Sequence, residues 1–424
     1  MNNQISTSNS IEVRISLFAD LAFIFYFSFY ATSRVFGKFI DSSTVANMIA
    51  IMIPYAMVAV CVVLQPWKYI IHDFIVLYVA IILFFCATAL IHPNYIPFYT
   101  REDFGVWDHV LNPYRGIYAY LFIRLIKEPK HVLKLMRIAG WIMIIYFLDE
   151  LIKASINGYW MGQGRTGSVK MSYSVAFGYQ ALPFLLVYLH LALTEKKPMD
   201  IVSTAIYVVM VLAGGSRGPI LFMAEYMLLY ILIRVSRSRK AILYMVCVCL
   251  FFGIVYVFYD RLINFAVYFV GKLGFKSRFL ESILNGNIAD DNNRSDIWAA
   301  AIQMIRDKPW GYGAMGSRHV ISSVIYAGYP HSIILELLID YGIFIGGLMI
   351  VAMAVGSFVL LFKNNGNGWS EVFLPFFCSA SCLLISMTYW SVPTFWACLA
   401  IAVNYHIAQK DPYQILYRFL GITQ

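Results

Sequence analysis

Long apolar runs, each bounded by charges, proline or glycine, follow one another along the chain. A helix needs about 20 mostly apolar residues to cross the hydrocarbon layer of a bilayer, and runs of that order predict about twelve transmembrane helices. They lie near 15–32, 44–65, 70–91, 112–126, 134–152, 173–193, 199–214, 218–234, 240–259, 332–361, 371–388 and 391–408. The fourth run is short and the tenth long. The expected fold class is an all-α polytopic membrane protein, with 1–424 forming a single integral membrane domain.

The short connections carry the orientation signal, because Lys and Arg beside a span are retained on the cytoplasmic side. Lys127, Lys130, Lys134 and Arg137 lie in one connection, Lys196 and Lys197 in another, and Arg234, Arg237, Arg239 and Lys240 in a third. Each follows an even-numbered span. Both termini are therefore expected in the cytoplasm, and the large connection between the ninth and tenth spans is expected on the outer face. That connection, 260–331, is about 70 residues long, too long for a passive link, and is expected to fold with short helices of its own. Leu262 to Phe275 reads as an amphipathic helix lying in the interface. Arg294 to Arg306 reads as a second helix, with Ile297, Ala301 and Met304 on one stripe and Pro309, Gly311 and Gly313 ending it. Other outer segments of note are 95–110 and 155–172.

Composition agrees and narrows the classes. Apolar residues make up 60% and charged residues 13%, about half the share of a soluble protein, which excludes disordered, collagen-like and ordinary soluble readings. The formal charge of +9 suggests a polyanion at first sight. Most basic residues flank apolar spans, however, so topology explains them and no nucleic-acid partner is expected. The seven cysteines all fall inside apolar stretches, and none has the spacing of a disulfide or zinc framework. Residues 1–14 are polar, and no removable signal peptide is expected.

The informative charges are those that anchoring at the interface does not explain. Arg217 sits in Gly214-Gly215-Ser216-Arg217-Gly218-Pro219, between two spans in a connection of a few residues. Glycines there permit close backbone approach, and Pro219 suits the first turn of a helix whose amides point outward. Amides plus a guanidinium make an anion site; the other reading is a tight turn with a snorkelling arginine. Arg294 opens the second loop helix, where it opposes the helix dipole. A bound anion would account for that, as would pairing with Asp290, Asp291 or Asp296. His331 follows Gly328-Tyr329-Pro330 where the loop re-enters the membrane, with Glu336 five residues on. It is either a general base, kept neutral by neighbouring arginines, or an interfacial cap. His319, beside Arg318, is a weaker competitor. Asp290, Asp291, Asn292 and Asn293 have the nonspecific spacing of a solvated turn, so no metal site is expected. The chain has no phosphate-cradling Walker loop, dinucleotide fingerprint or nucleophile elbow.

The order of these pieces is more specific than any one of them. A Gly-Ser-Arg-Gly mouth is followed by Arg-Ser-Asp-Ile-Trp, then Lys308-Pro309-Trp310-Gly311-Tyr312-Gly313, then Pro330-His331, and ten residues on Tyr341-Gly342-Ile343-Phe344-Ile345-Gly346. This resembles the O-antigen ligase and O-antigen polymerase superfamily of bacterial envelope glycosyltransferases, most closely from Ala213 to Gly347. The segment 162–172, with Arg165, is similar to the outer loop that precedes the sixth span in that superfamily. The resemblance implies a GT-C-like bundle in the bacterial inner membrane, with an active site facing the periplasm. It also implies glycan transfer from an undecaprenyl diphosphate carrier to an acceptor hydroxyl, without cofactor or metal. By the same resemblance Arg217 and Arg294 are phosphate-binding and His331 is the essential histidine. Arg165, Arg261, Arg318, Gly218 and Trp298 are expected on the substrate. Ser332 departs from the Asn that often follows the family's histidine. Partners implied are lipid-linked oligosaccharides, membrane lipid and a chain-length co-polymerase.

Two family activities compete. A polymerase adds the growing chain to the next lipid-linked repeat unit, and a ligase moves the finished chain to lipid A core. The richness in Tyr and Phe and the Ser332 departure favour the polymerase. A twelve-span secondary transporter is the alternative from another class. It would place ionisable or unwound segments near the midplane, often in related halves, whereas the candidate residues here gather at one surface and no halves repeat.

Overall fold

The computed structural model describes residues 16–64, 68–164, 167–171, 173–236, 259–272, 294–363 and 368–409. The expected ninth span, 240–259, lies almost wholly outside these, as do Arg165, Cys247, Cys249 and the Asp290–Asn293 turn. Among the described residues, five helices are long and apolar enough to cross a membrane. These are α3 (Ser43–Leu64), α4 (Lys68–Ile91), α8 (Val175–Thr194), α10 (Arg217–Ser236) and α14 (Ile333–Phe362). A sixth candidate is the pair α1 (Ser16–Phe27) and α2 (Phe29–Phe36), bent by 82° at Ser28. The Ser28 hydroxyl donates to the Ile24 carbonyl at 2.7 Å, the back-bonding geometry that accompanies helix bends. α7 (Pro129–Asn157), α9 (Pro198–Gly214), α15 (Trp369–Ala380) and α16 (Pro393–Gln409) complete the long elements.

Burial sorts these helices into an inner and an outer set. α8 is the most buried of the five spans, and it packs on α7, α9, α10 and α15 around Phe147, Tyr188, Tyr207 and Tyr226. α3 and α4 expose most of their apolar surface, with Val63 83% and Leu90 84% exposed. Helices whose own backbone bonds are satisfied and whose outer faces are apolar fit a lipid surround, so the chain is an all-α, multi-pass membrane protein.

Three local departures from the sequence pattern matter. The apolar run near 112–126 yields only α6 (Tyr118–Arg124), about 10 Å long and buried throughout. Gly116 turns with φ +48° against the Trp390 carbonyl, and Arg124 pairs with Asp73 at 2.7 Å, so the segment is drawn into the bundle rather than across it. The outer segment 155–172 forms a hairpin of β1 (Trp160–Gly164) and β2 (Gly167–Met171), pairing Trp160 with Met171. The tenth run is one helix interrupted at Gly342, where φ 78° and ψ 173° break α14.

That break is filled by the end of the large connection. Tyr312 N–H donates to the Ile339 carbonyl at 2.7 Å, Gly313 N–H to Asp340 at 3.0 Å, and Ile343 N–H to Pro309 at 2.8 Å. A Cβ at Gly342 would lie 2.5 Å from the Trp310 carbonyl carbon, and one at Gly311 would lie 2.6 Å from the Gly342 nitrogen. The two glycine-bearing motifs are thus two sides of one backbone contact.

The large connection is described only in part. It contributes α11 (Tyr259–Lys272), α12 (Arg294–Asp307) and the single turn α13 (Arg318–Ile321), after the short α5 (Ile96–Tyr99) of another segment. Ile297, Ala301 and Met304 are the buried face of α12, meeting Ile321 and Ile339 in a small second core.

Candidate functional site

The site is assembled from four helix starts and one turn. α9 ends with Gly215 in the left-handed conformation, and α10 begins two residues later at Arg217. The start of α8 docks on this turn. Ser174 caps α8 by accepting from Phe177 N–H at 3.2 Å, and its own N–H donates to the Gly214 carbonyl at 2.9 Å. Gly178 faces Pro219, where an added Cβ would stand 3.0 Å from the proline ring. One residue along, the Tyr179 hydroxyl occupies the space a Cβ at Gly218 would need. Small residues therefore bring the phenol of α8 onto the first turn of α10, beside a half-buried Arg217.

Arg294 arrives from the other side as the first residue of α12, half-buried while its helix is anchored by the Ile297 stripe. Trp298, on the next turn, donates from Nε1 to the Pro330 carbonyl at 3.1 Å. This ties the start of α12 to the residue before His331. Arg217 and Arg294 both act electrostatically on the Tyr179 hydroxyl, and Arg294 acts on the His331 ring. The two guanidiniums and the imidazole thus share one neighbourhood.

His331 sits just ahead of α14 with φ +53°, a left-handed conformation that costs a non-glycine residue free energy and persists only when its surroundings impose it. Its Nδ1 lies 2.5 Å from the Ser386 carbonyl. A carbonyl only accepts, so Nδ1 carries the proton and Nε2 is the nitrogen left to act as an acceptor. Burial lowers the affinity of the ring for a second proton; the Ser386 bond opposes this, and Arg294 and Arg318 add to it. The imidazole is held neutral near pH 7, as a general base requires.

Of the remaining expected residues, Gly218 and Trp298 fall in this neighbourhood. Arg318 is close but committed: its side chain is 2% exposed, and Nη1 pairs with Glu336 at 3.2 Å. Its guanidinium lies over the Tyr329 ring at 5.2 Å, and that ring stands 4.5 Å from the ring of His331. Arg261 is exposed on the first turn of α11, outside the cluster. His319 bonds the Gly316 carbonyl and stacks on Tyr95 at 4.6 Å, apart from His331. Among the described residues no group of three or more His, Cys, Asp or Glu side chains is arranged to hold a metal ion. A small cavity lined by His190, Tyr230, Arg234 and Glu371 lies at the far ends of α8 and α10, away from this chemistry.

Tyr179 and Ser386 join the site without any sequence motif to mark them. Both lie outside the glycine-arginine and proline-histidine segments and reach them only through tertiary packing.

Residues 202–351 match the family described as O-antigen ligase. This stretch, about a third of the chain, is similar to the O-antigen ligase family. The domain includes Arg217, Gly218, Arg294, Trp298, Arg318 and His331, and this supports the O-antigen polymerase and ligase superfamily, whose members are membrane enzymes of the glycosyltransferase type. A comparison with curated proteins finds no match. Tyr179 and Ser386 fall on either side of the matched O-antigen ligase stretch, so the neighbourhood of His331 extends beyond the domain itself.

Proposed function

We propose that this protein is a surface-polysaccharide polymerase of the inner membrane, which transfers a growing glycan from undecaprenyl diphosphate to a sugar hydroxyl of the next lipid-linked repeat unit. The observation that supports this reading is that Arg217 and Arg294 both reach the Tyr179 hydroxyl while Arg294 also reaches the ring of an Nδ1-protonated His331.

Nε2 of His331 takes the proton of the acceptor hydroxyl as that oxygen bonds to the anomeric carbon. The bond from that carbon to the diphosphate oxygen breaks, and its electron pair leaves with the carrier. Products are the glycan extended by one unit, still on the acceptor's carrier, and free undecaprenyl diphosphate. Negative charge grows on the departing oxygen, where planar guanidiniums are well suited to stabilise it by paired hydrogen bonds. Attack from the face opposite the diphosphate inverts the anomeric centre. Trp298, 37% exposed beside the site, offers a surface on which a sugar ring stacks.

The family description favours a second reading, ligation of finished chains to lipid A core. The acceptor separates the two. Purified protein given only carrier-linked repeat units should produce a ladder of products spaced by the repeat mass. Product only when lipid A core is added would assign the ligase reaction instead.

A further inference from the structure

His331 does not hold its own geometry, and what holds it converges on one carboxylate. Glu336 is completely buried on α14, and its Oε1 accepts from the Thr388 hydroxyl at 2.7 Å and from Arg318 Nη1 at 3.2 Å. Thr388 lies two residues after Ser386, whose carbonyl receives the Nδ1 proton of His331. Arg318 carries the Tyr329 ring, which packs beside the ring of His331. Both supports of the imidazole, the carbonyl that sets its tautomer and the ring beside it, are thereby fastened to a single side chain. A buried anion is costly unless it is paired and hydrogen-bonded, so its placement here needs a return beyond packing.

We infer that Glu336 is the positioning residue for His331, fixing through Thr388 and Arg318 the turn and the ring that keep Nδ1 bonded and Nε2 available. This rests on His331 being the base of the proposed transfer. Glu336 touches no reacting atom; it acts through the histidine, as second-layer partners commonly do at a cost of about 10–100-fold when removed. It also partners Arg318, one of the two arginines whose charge reaches the ring. The charges that reach His331 are Arg294 from α12 and Arg318 from the large connection, with the Tyr329 ring beside it; Glu336 and Asp340 of α14 both act on Arg318, and Tyr179 and Cys382 lie beyond Tyr329.

The test uses the full-length protein in detergent, with carrier-linked repeat units and initial rates from pH 5 to 9. Glu336→Gln keeps an oxygen that accepts from Thr388 and Arg318 but removes the charge that offsets Arg318. Its acid limb should move to lower pH with KM nearly unchanged. Glu336→Ala should lose on the order of 10–100-fold in kcat, and Thr388→Val, which removes only the hydroxyl donor, should lose part of that. His331→Ala runs beside them. If it abolishes turnover while Glu336→Gln and Thr388→Val keep the wild-type kcat and limb, the positioning role is wrong and the site reading stands. If His331→Ala turns over normally, the site reading itself fails. Should Glu336→Ala not fold, Glu336→Gln and Thr388→Val decide between the same two outcomes.

Discussion

At the scale of single residues, the proposed transfer depends on charge and tautomer. Replacing His331 with Ala removes a proton acceptor, a change expected to lower transfer by about 10²–10⁴-fold while the carrier-linked donor still binds. Arg217→Lys and Arg294→Lys keep the charge and lose the planar fork, and each should lower kcat by at least about tenfold; unchanged kinetics would make these arginines interface anchors. Because burial and the neighbouring arginines lower the proton affinity of His331, the neutral base is present above its depressed pKa and is lost as pH falls through it. The rate should therefore hold steady through neutrality and decline only below the ordinary histidine value of about 6.5. An acid limb above pH 7 would show that another group is titrating. Arg217, Arg294 and His331 stand out in the sequence as candidates, each with an ordinary reading beside the functional one, because the order of their motifs is more specific than any one of them. Tyr179, Ser386 and Thr388 do not, since a tyrosine in an apolar helix and two hydroxyls in a short connection look the same with or without a histidine nearby.

Among the elements, α12 follows from the sequence to within a residue because its stripe of Ile297, Ala301 and Met304 has a clear helical period. The 112–126 run is misleading, because hydropathy alone does not reveal that Arg124 meets Asp73 and Asn404 inside the bundle. The glycines of 309–313 and 341–346 announce turns, but their mutual contact emerges only in three dimensions. That contact gives a sharp expectation: Gly342→Ala places a Cβ against the Trp310 backbone at a positive φ and should cost about 1–3 kcal/mol or more. Thermal unfolding in detergent should shift down by several degrees. Gly347→Ala, where the added Cβ meets nothing within 4 Å, should leave it in place.

For the molecule as a whole, the basic connections lead us to expect the large connection on the outer face. A cysteine introduced at Asp307 should react with a membrane-impermeant maleimide in intact spheroplasts, and one at Lys130 only after permeabilisation; the reverse pattern would place the site on the cytoplasmic face. Both positions are exposed, so accessibility of the side chain does not limit the labelling. The outer rim is where an arriving lipid-linked glycan is expected to react. The most direct test of this is the release of undecaprenyl diphosphate from a defined carrier-linked oligosaccharide by purified wild-type protein and by a folded, donor-binding His331→Ala variant. Release that matches product formation in the wild type and is lost in the variant is the expected result. Equal release from both would contradict the assignment of His331 as the base.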